Sequence, residues 1–559
     1  MLRITTEECL RRVVKRRKGS IAISDSRGRA LTWSDLKSEV DAVARGLLQS
    51  GFSKGDKFVI WSTNNIEWII TYLAATQLGV IPVLASIHLK KAELLELLEQ
   101  TDATGLCFCD AHRDSEFSEV ITEIEQELVS VRAPWARHFK LFVHLQEKAS
   151  LTSISLNDLK IQGALVEEET YQAAIAQVMP DDVSTILMTS GSTSRPKAVM
   201  LTHSNLINNA YFSVARLKLN HFDRICLAVP MFHCFGLSCG LFFALTTGCS
   251  FLLVETYCAE DVLKCVSRDR STVLHGVPTM FSRLIEHENF SHYDLSSLKK
   301  GVLAGAYCNP GLIKKIYSHL GMVNIVVSYG QTESSPCCTQ TDPDDPISVK
   351  CTSIGKPIQG VEMCIINKET SKQCGCNEVG ELCTRGYHVM TGYYKGAKQT
   401  AETIDKEGWL HTGDAGYFDD AGNYHFLYRL KEIIIRGGEN ISPLEVERVL
   451  SEQPFIDQVK VYGVDDHDLG EVVAASVVLR KGVILTQEEL RDRLKPLMTH
   501  YKIPKYVDFI DAFPYTPSGK VDALLLKKKM LAKLVLNEKK SALQESYKRA
   551  SYTAVVLTH

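Results

Sequence analysis

The hydrophobic pattern of this chain changes period repeatedly, and that alternation limits the folds open to it. A helical repeat over residues 33–48 gives way to an apolar strand at 58–61 and a second helix at 67–78. Similar pairs recur through 89–109 and 204–253. Strands separated by helices pair in parallel through crossovers that cover the sheet faces. The expected fold is therefore α/β, a large multi-layered domain with mixed and parallel sheets. The 559 residues exceed what one core accommodates and imply roughly three or four structural units. Residues 110–180 are more polar and irregular in period, and read as surface elaboration.

A boundary is expected near residues 428–431. A turn at 419–423 precedes it, and the strand 433–435 that follows stops at Gly437 and Gly438. Ser442, Pro443 and Glu445 then spell a capping box with proline at the first helical position. Thr486 and Glu489 repeat the signal after a strand at 472–479. The expected organisation is a large N-terminal domain at 1–428, a small mobile α+β domain at 432–535 and a tail at 536–559.

Residues 189–197 read TSGSTSRPK directly after the strand-like run 183–188. Backbone N–H groups in a glycine-relieved turn, hydroxyl donors and a mobile ammonium suit the β- and γ-phosphates of a nucleotide. The stretch from Gly191 to Lys197 has the register of a P-loop, but Pro196 replaces the second glycine and Ala198 the hydroxyl that would hold Mg²⁺. A solvated Ser/Thr turn is the bland alternative.

Composition narrows the partners. A net charge of −3 gives no broad basic face, which argues against nucleic acid or an anionic membrane as main partner and leaves small molecules. Peripheral membrane contact stays open. The 17 cysteines are scattered without a CxxC pair, so they read as free thiols of a reducing compartment. That places the protein inside the cell, most simply in the cytoplasm, with the mitochondrion or another organelle left open. The basic N-terminus is interrupted by Glu7 and Glu8 and no apolar segment follows, so it is not a secretory signal. Residues 229–254 are nearly uncharged, yet Gly236, Gly240, Gly248 and the Thr246-Thr247 pair divide them, and no transmembrane span is expected. The final residues 556–559 match no peroxisomal or endoplasmic-reticulum address.

Further constellations carry chemistry. Tyr329, Gly330, Gln331, Thr332 and Glu333 follow an expected strand at 323–327, where a carboxylate suits Mg²⁺ and a tyrosine ring suits a base. The segment GWLHTGD at 408–414 puts Asp414 in a glycine-framed turn, an acceptor for a ribose diol. Arg429, at the boundary, reaches for ribose or α-phosphate, with an interdomain salt bridge as the alternative. Lys520 ends PYTPSGK, a stiff helix-free segment.

In this order TSGSTSRPK, YGQTE, GELCTRG (380–386), GWLHTGD, YRLKEIIIRGGENISPLE and PYTPSGK resemble the AMP-forming adenylating superfamily of acyl-CoA synthetases, nonribosomal adenylation domains and beetle luciferases. The resemblance covers about residues 31–528. It implies that a carboxylate attacks the α-phosphorus of Mg·ATP to give acyl-AMP and pyrophosphate, after which coenzyme A takes the acyl group. By the same resemblance Thr189, Ser190, Gly191, Ser192, Thr193 and Lys197 grip the terminal phosphates, and Glu333, beside Thr332, holds Mg²⁺. Gly305, Ala306 and Tyr329 line the adenine pocket, Asp414 holds the ribose and Arg429 assists. Lys520 is the catalytic lysine, Lys431 the hinge, and the loop with Gly437 and Gly438 frames the thiol tunnel. Ser194, Ala198, Tyr428 and Ala523 depart from the family pattern without removing an essential group.

His233 matches a gating position at the family's acyl pocket, with residues 277–280 and 303–305 as further walls. The small residues there and the segment GGENISPLE resemble medium-chain acyl-CoA synthetases, so a medium- to long-chain fatty acid is expected, with aryl acids second. The short stretch after Lys520 leaves no space for a carrier domain. A luciferase-like oxygenase shares the first half-reaction, and a noncatalytic sensor would be expected to lack Lys520 or Glu333. Oligomeric state has no sequence signal.

Overall fold

The computed structural model describes residues 1–112, 115–130, 138–146, 153–189, 196–516 and 520–536. The chain divides into two compact units, residues 1–412 with 417–425, and residues 413–416 with 426–559.

The first unit contains two large sheets. In one, strands Ile21–Asp25, Ser250–Leu253, Arg224–Leu227, Val273–Leu274, Lys300–Leu303 and Asn324–Gly330 run parallel in that order, and antiparallel strands finish both edges. In the other, Val183–Thr189, Ile81–Leu84, Lys57–Trp61, Gly105–Phe108, Leu141–His144 and Ser153–Ser155 are parallel. Its opposite edge is antiparallel, through Lys197–Thr202 and then Gly392–Tyr393. The alternating pattern thus forms helix-covered sheets, as its period requires.

Helix Trp33–Gln49 starts at a capping box of Thr32 with Asp35. It meets helix Leu156–Gly163 backbone to backbone: a Cβ on Gly46 would lie 2.2 Å from the Leu159 carbonyl oxygen. Residues 110–180 therefore differ from the expectation of surface elaboration. They supply strands Leu141–His144 and Ser153–Ser155 and helices Phe117–Ser130, Leu156–Gly163 and Glu168–Ala176. The strands are too short to register as a period, yet Phe142 and Val143 are buried in the sheet core.

Residues 229–254 fold as the short turn Cys234–Gly236, the π-helix Leu237–Phe242, helix Phe243–Thr247 and strand Ser250–Leu253. Among the described residues no helix is long and apolar enough to cross a membrane.

The second unit is built on the ribbon Ile456–Asp466 with Gly470–Leu479, extended by Ile434–Arg436, Glu439–Ile441 and Tyr506–Phe509. Helix Gln487–Leu494 has the full capping box of Thr486 with Glu489. Helix Pro443–Ser451 has only half of the expected one: the Ser442 hydroxyl accepts from the Glu445 N–H, while the Glu445 carboxylate turns to Lys502. A salt bridge competes there with the cap.

Candidate functional site

In the first unit the site begins with the hairpin of Val183–Thr189 and Lys197–Thr202. Thr189 faces Lys197 in register, and its hydroxyl donates to the Lys197 carbonyl at 3.4 Å. Ser190, Gly191, Ser192 and Thr193 lie outside the described residues. The Lys197 ammonium sits 4.6 Å from the centroid of the Tyr393 ring, a cation–π distance. Tyr393 in turn donates its phenolic proton to Glu333 Oε1 at 2.9 Å. Burial and the Glu333 carboxylate push the phenol up, so it keeps the proton it donates.

Tyr393 is a residue that sequence reading passed over; its only signal was the Gly392-Tyr393-Tyr394 run. It reaches this position because Gly392–Tyr393 adds a strand beside Lys197–Thr202. The Met390 N–H also donates to the Glu333 carbonyl at 2.9 Å. Helix His203–Leu217 steadies both sides: Asn205 donates to the Tyr387 and Val389 carbonyls, and the Asn209 amide exchanges hydrogen bonds with the Cys337 backbone.

Tyr329 lies within strand Asn324–Gly330 rather than after it, because the antiparallel partner Cys337–Gln340 prolongs the pairing, with Tyr329 opposite Thr339. Gly330 must be glycine: a Cβ there would stand 1.8 Å from the Pro336 carbonyl oxygen. Thr332 and Glu333 follow in the 3₁₀ turn Thr332–Ser334. Leu303 pairs with Val327 on the neighbouring parallel strand. Gly305 and Ala306, just past the end of Lys300–Leu303, and Tyr329 therefore occupy adjacent strand ends, where α/β sheets bind ligands. Gly305 has a φ of +86°, a left-handed conformation that glycine adopts freely.

His233 is half-buried at the start of the turn Cys234–Gly236, its ring 4.6 Å from that of Phe232. Burial, and secondarily the Glu333 carboxylate, push the neighbouring Cys234 thiol up. An apolar cleft lies behind strand Val273–Leu274. It is lined by Ala228, Tyr257, His275, Gly276, Met280, Phe281 and Leu284, is partly open, and as it stands has no room for a water molecule.

In the second unit Asp414 is buried and Arg429 Nε stands 3.4 Å from its carboxylate. Asp414 lies in strand Leu410–Phe418, not in the turn expected of GWLHTGD. Gly413 takes the left-handed φ of +74° inside a strand that continues, so the glycine marks a kink rather than an end. Lys520 joins the same electrostatic cluster. Its side chain keeps exposed surface, yet crowding by protein atoms and the Arg429 guanidinium lower its pKa while Asp414 opposes the shift. Thr516 ties down the lysine's backbone, donating its N–H to the Lys520 carbonyl at 2.7 Å and accepting the Lys520 N–H on its hydroxyl at 3.2 Å.

Lys431 lies in an exposed turn after strand Tyr424–Arg429. Gly437 and Gly438, with φ of +56° and +89°, form the two-residue turn between strands paired at Arg436 and Glu439. Positive φ at both turn positions is what a tight hairpin demands.

Comparison with known proteins follows the same lines. The AMP-binding enzyme family matches residues 10–394, and the AMP-binding enzyme C-terminal domain matches residues 445–520. The putative acyl-CoA synthetase YngI of Bacillus subtilis is 35% identical over 505 residues, 89% of this chain and 92% of its own. The mitochondrial medium-chain acyl-CoA ligase ACSF2 of Homo sapiens is 34% identical over 517 residues, 89% of this chain and 83% of its own. The fold matches the crystal structure of the anthranilate CoA ligase AuaEII in complex with anthranoyl-AMP, with a TM-score of 0.85 at 24% identity, covering 96% of this chain and 99% of that one. The chain thus belongs to the AMP-binding enzymes and is an acyl-CoA ligase, an enzyme that joins a carboxylic acid to coenzyme A with ATP and Mg²⁺.

Proposed function

We propose that the acid is a medium- to long-chain fatty acid, activated first as acyl-AMP and then transferred to coenzyme A with release of AMP. The cleft behind strand Val273–Leu274 carries this choice. Apart from His275 its lining bears no ionisable side chain but the Tyr257 phenol, and burial takes the His275 imidazole down to about 3, so it is neutral. The Tyr257 hydroxyl donates to the Met280 carbonyl at 2.7 Å and pins helix Pro278–Ile285 over the cleft. An alkyl chain would enter by displacing the flexible Met280 side chain beside the buried Phe281 ring. The similarity to a ligase named for medium-chain acids supports the same reading.

In this reading residues 1–428 bind ATP and the acyl group, and residues 432–535 carry the catalytic lysine. Thr189, Lys197 and the intervening residues 190–193 hold the β- and γ-phosphates. Gly305, Ala306 and Tyr329 receive the adenine, Asp414 the ribose hydroxyls, and Arg429 a ribose or α-phosphate oxygen. The Glu333 carboxylate and the Thr332 hydroxyl are hard oxygen donors of the kind Mg²⁺ takes, and Tyr393 occupies only one carboxylate oxygen. The ion supplies neutralisation of the phosphate charge.

Lys520 offsets the repulsion between the substrate carboxylate and the α-phosphate as the new C–O–P bond forms and the bond to pyrophosphate breaks. His233 gates the acyl end. Lys431 acts as the hinge at which the small domain turns, and Gly437 and Gly438 admit the pantetheine arm whose sulfur then displaces AMP. Seventeen free thiols, most of them buried, favour a reducing compartment.

The test is ATP–pyrophosphate exchange across straight-chain and aryl carboxylic acids, followed by CoA-dependent AMP release. Medium- to long-chain acids should give the highest kcat/KM. Gly276→Val, whose Cβ meets Phe281 at 3.1 Å, should cut the longest acids by about tenfold or more relative to short ones. Preference for an aryl acid would refute the substrate, and exchange without thioester would refute coenzyme A as acceptor.

A further inference from the structure

A cluster of donors remains outside the machinery described so far. On strand Gly380–Gly386, Glu381 and Cys383 are two positions apart and so share a face. His411 reaches the same face from strand Leu410–Phe418. Its Nδ1 lies 2.9 Å from Glu381 Oε2 and 3.4 Å from Cys383 Sγ. The three donor atoms lie within 4.8 Å of one another. Cys383 is fully buried, while His411 keeps partial exposure and gives a route in.

These separations fit a tetrahedral ion. Zinc bond lengths of about 2.0–2.1 Å to N and O and about 2.3 Å to S put tetrahedral N–O and N–S edges at roughly 3.3 and 3.6 Å. The two edges at His411 need only a few tenths of an ångström of expansion, and the Glu381–Cys383 edge, within 4.8 Å, closes by rotation of the Glu381 side chain on binding. A second, independent feature points the same way. The other ring nitrogen of His411, Nε2, faces Asp405 Oδ2 at 3.5 Å. Metal-bound histidines characteristically present their free N–H to a carboxylate, which fixes tautomer and ring orientation. The charges also close: carboxylate, thiolate and neutral imidazole balance a dication. A simple imidazolium held between Glu381 and Asp405 accounts for the two carboxylates, while the thiol, which also hydrogen-bonds Cys364, faces the same ring nitrogen as Glu381.

We propose that Glu381, Cys383 and His411 bind one divalent cation of the zinc class, with Asp405 orienting the imidazole and the fourth position open to water. On binding, the S–H bond of Cys383 breaks heterolytically, sulfur keeps the electron pair as a metal–thiolate bond, and the proton leaves to solvent. The ion would join strand Gly380–Gly386 to the first residues of Leu410–Phe418. Cys364 stands directly across from Cys383 on strand Val361–Ile366 and backs the thiol without belonging to the triad.

The experiment titrates the full-length, metal-stripped protein with Zn²⁺ against a chromophoric chelator and, separately, with Co²⁺, reading the thiolate-to-metal charge-transfer band. One equivalent should bind in competition with the chelator, and Co²⁺ should give the band. Cys383→Ser and His411→Asn should remove both signals, Glu381→Gln should weaken binding at least about tenfold, and Cys364→Ser should retain one equivalent. ATP–pyrophosphate exchange by metal-stripped Cys383→Ser in excess Mg²⁺ should match the parent and show that the fold survives. Absence of Zn²⁺ binding by the parent overturns the proposal. So does an undiminished equivalent and band in Cys383→Ser or His411→Asn, which would place the ion on other thiols.

Discussion

The Glu333–Tyr393–Lys197 cluster of the first unit and the Asp414–Arg429–Lys520 cluster of the second contain similar ingredients, a carboxylate with cationic side chains, yet they are held in different ways. Glu333 is fixed through both side chain and backbone, by Tyr393 and by Met390. A hydrogen bond to a charged acceptor contributes about 1.5–3 kcal/mol. Arg429 meets Asp414 only at 3.4 Å and remains 57% exposed. The Asp414 carboxylate is buried, but a long contact to a solvent-exposed guanidinium is a weaker tie than a hydrogen bond to a charged acceptor. The first cluster is thus preorganised around a phenol ring, whereas the cations of the second keep the freedom to exchange partners. In the proposed reading, grip on a triphosphate and access to a reacting carboxylate would call for those two opposite qualities.

The largest effect that could break this contrast is expected at Lys520. Lys520→Ala should lower ATP–pyrophosphate exchange by at least about a hundredfold. Thioester formation from supplied acyl-AMP should persist in the same variant, and equal loss of both half-reactions would show that the lysine does not act as a removable cation.

On the preorganised side, Tyr393→Phe should reduce kcat/KM for Mg·ATP roughly tenfold or more, the equivalent of the lost hydrogen bond to Glu333. The loss should shrink as Mg²⁺ is raised, because the carboxylate itself remains. A drop no larger than that given by Arg429→Lys would mean that the first cluster is no better organised than the second.

Acid sharpens the comparison at the level of whole units. Burial lowers His203 from 6.5 to about 4, and His275 and His388 to about 3, all in the first unit. The described histidines of the second, His467 and His500, are exposed. Below pH 6.5 the unfolded chain takes up protons that the folded first unit refuses until about pH 4 or 3. The stability from these three groups is therefore complete above 6.5 and declines as pH falls, by about 1.4 kcal/mol per pH unit for each. Hydrogen exchange compared at neutral and mildly acid pH should show protection lost first in the first unit; parallel loss in both would contradict the assignment.

The smallest effect concerns the Lys520 titration. In the proposed mechanism its ammonium is the working form, and its pKa is depressed by crowding and by Arg429, so adenylation should fail with rising pH before an ordinary lysine would deprotonate. Arg429→Gln should move that alkaline limb of the exchange rate upward and Asp414→Asn downward. Movement in the same direction for both would remove the charge cluster from the account.

What the sequence made legible follows physical lines. Motifs set by local backbone demands read well: Thr486 with Glu489 caps its helix, and Gly437-Gly438 makes a tight turn because glycine takes positive φ at least cost. The alternating period gave the parallel sheets for the same reason. Tyr393 escaped notice because its role arises from the lateral pairing of two segments far apart in the chain, which no local pattern announces. Gly413 signals a turn at Asp414, although the strand continues through the kink. The Glu381–Cys383–His411 cluster was equally hidden: its members belong to two motifs whose strands pack together only in the folded sheet.

Thr189 and Lys197 stand opposite each other on neighbouring strands of a ladder whose interior, at Ile186, Leu187, Ala198 and Val199, is buried. Whatever chemistry the seven intervening positions carry, their two anchors leave the sheet at a fixed spacing. Substitutions or length changes confined to 190–195 are consequently insulated from core registry, whereas a single insertion within 183–188 would turn alternate side chains inside out. The ladder on either side thus offers a fixed frame on which selection or an engineer can vary what it carries without redrawing the sheet.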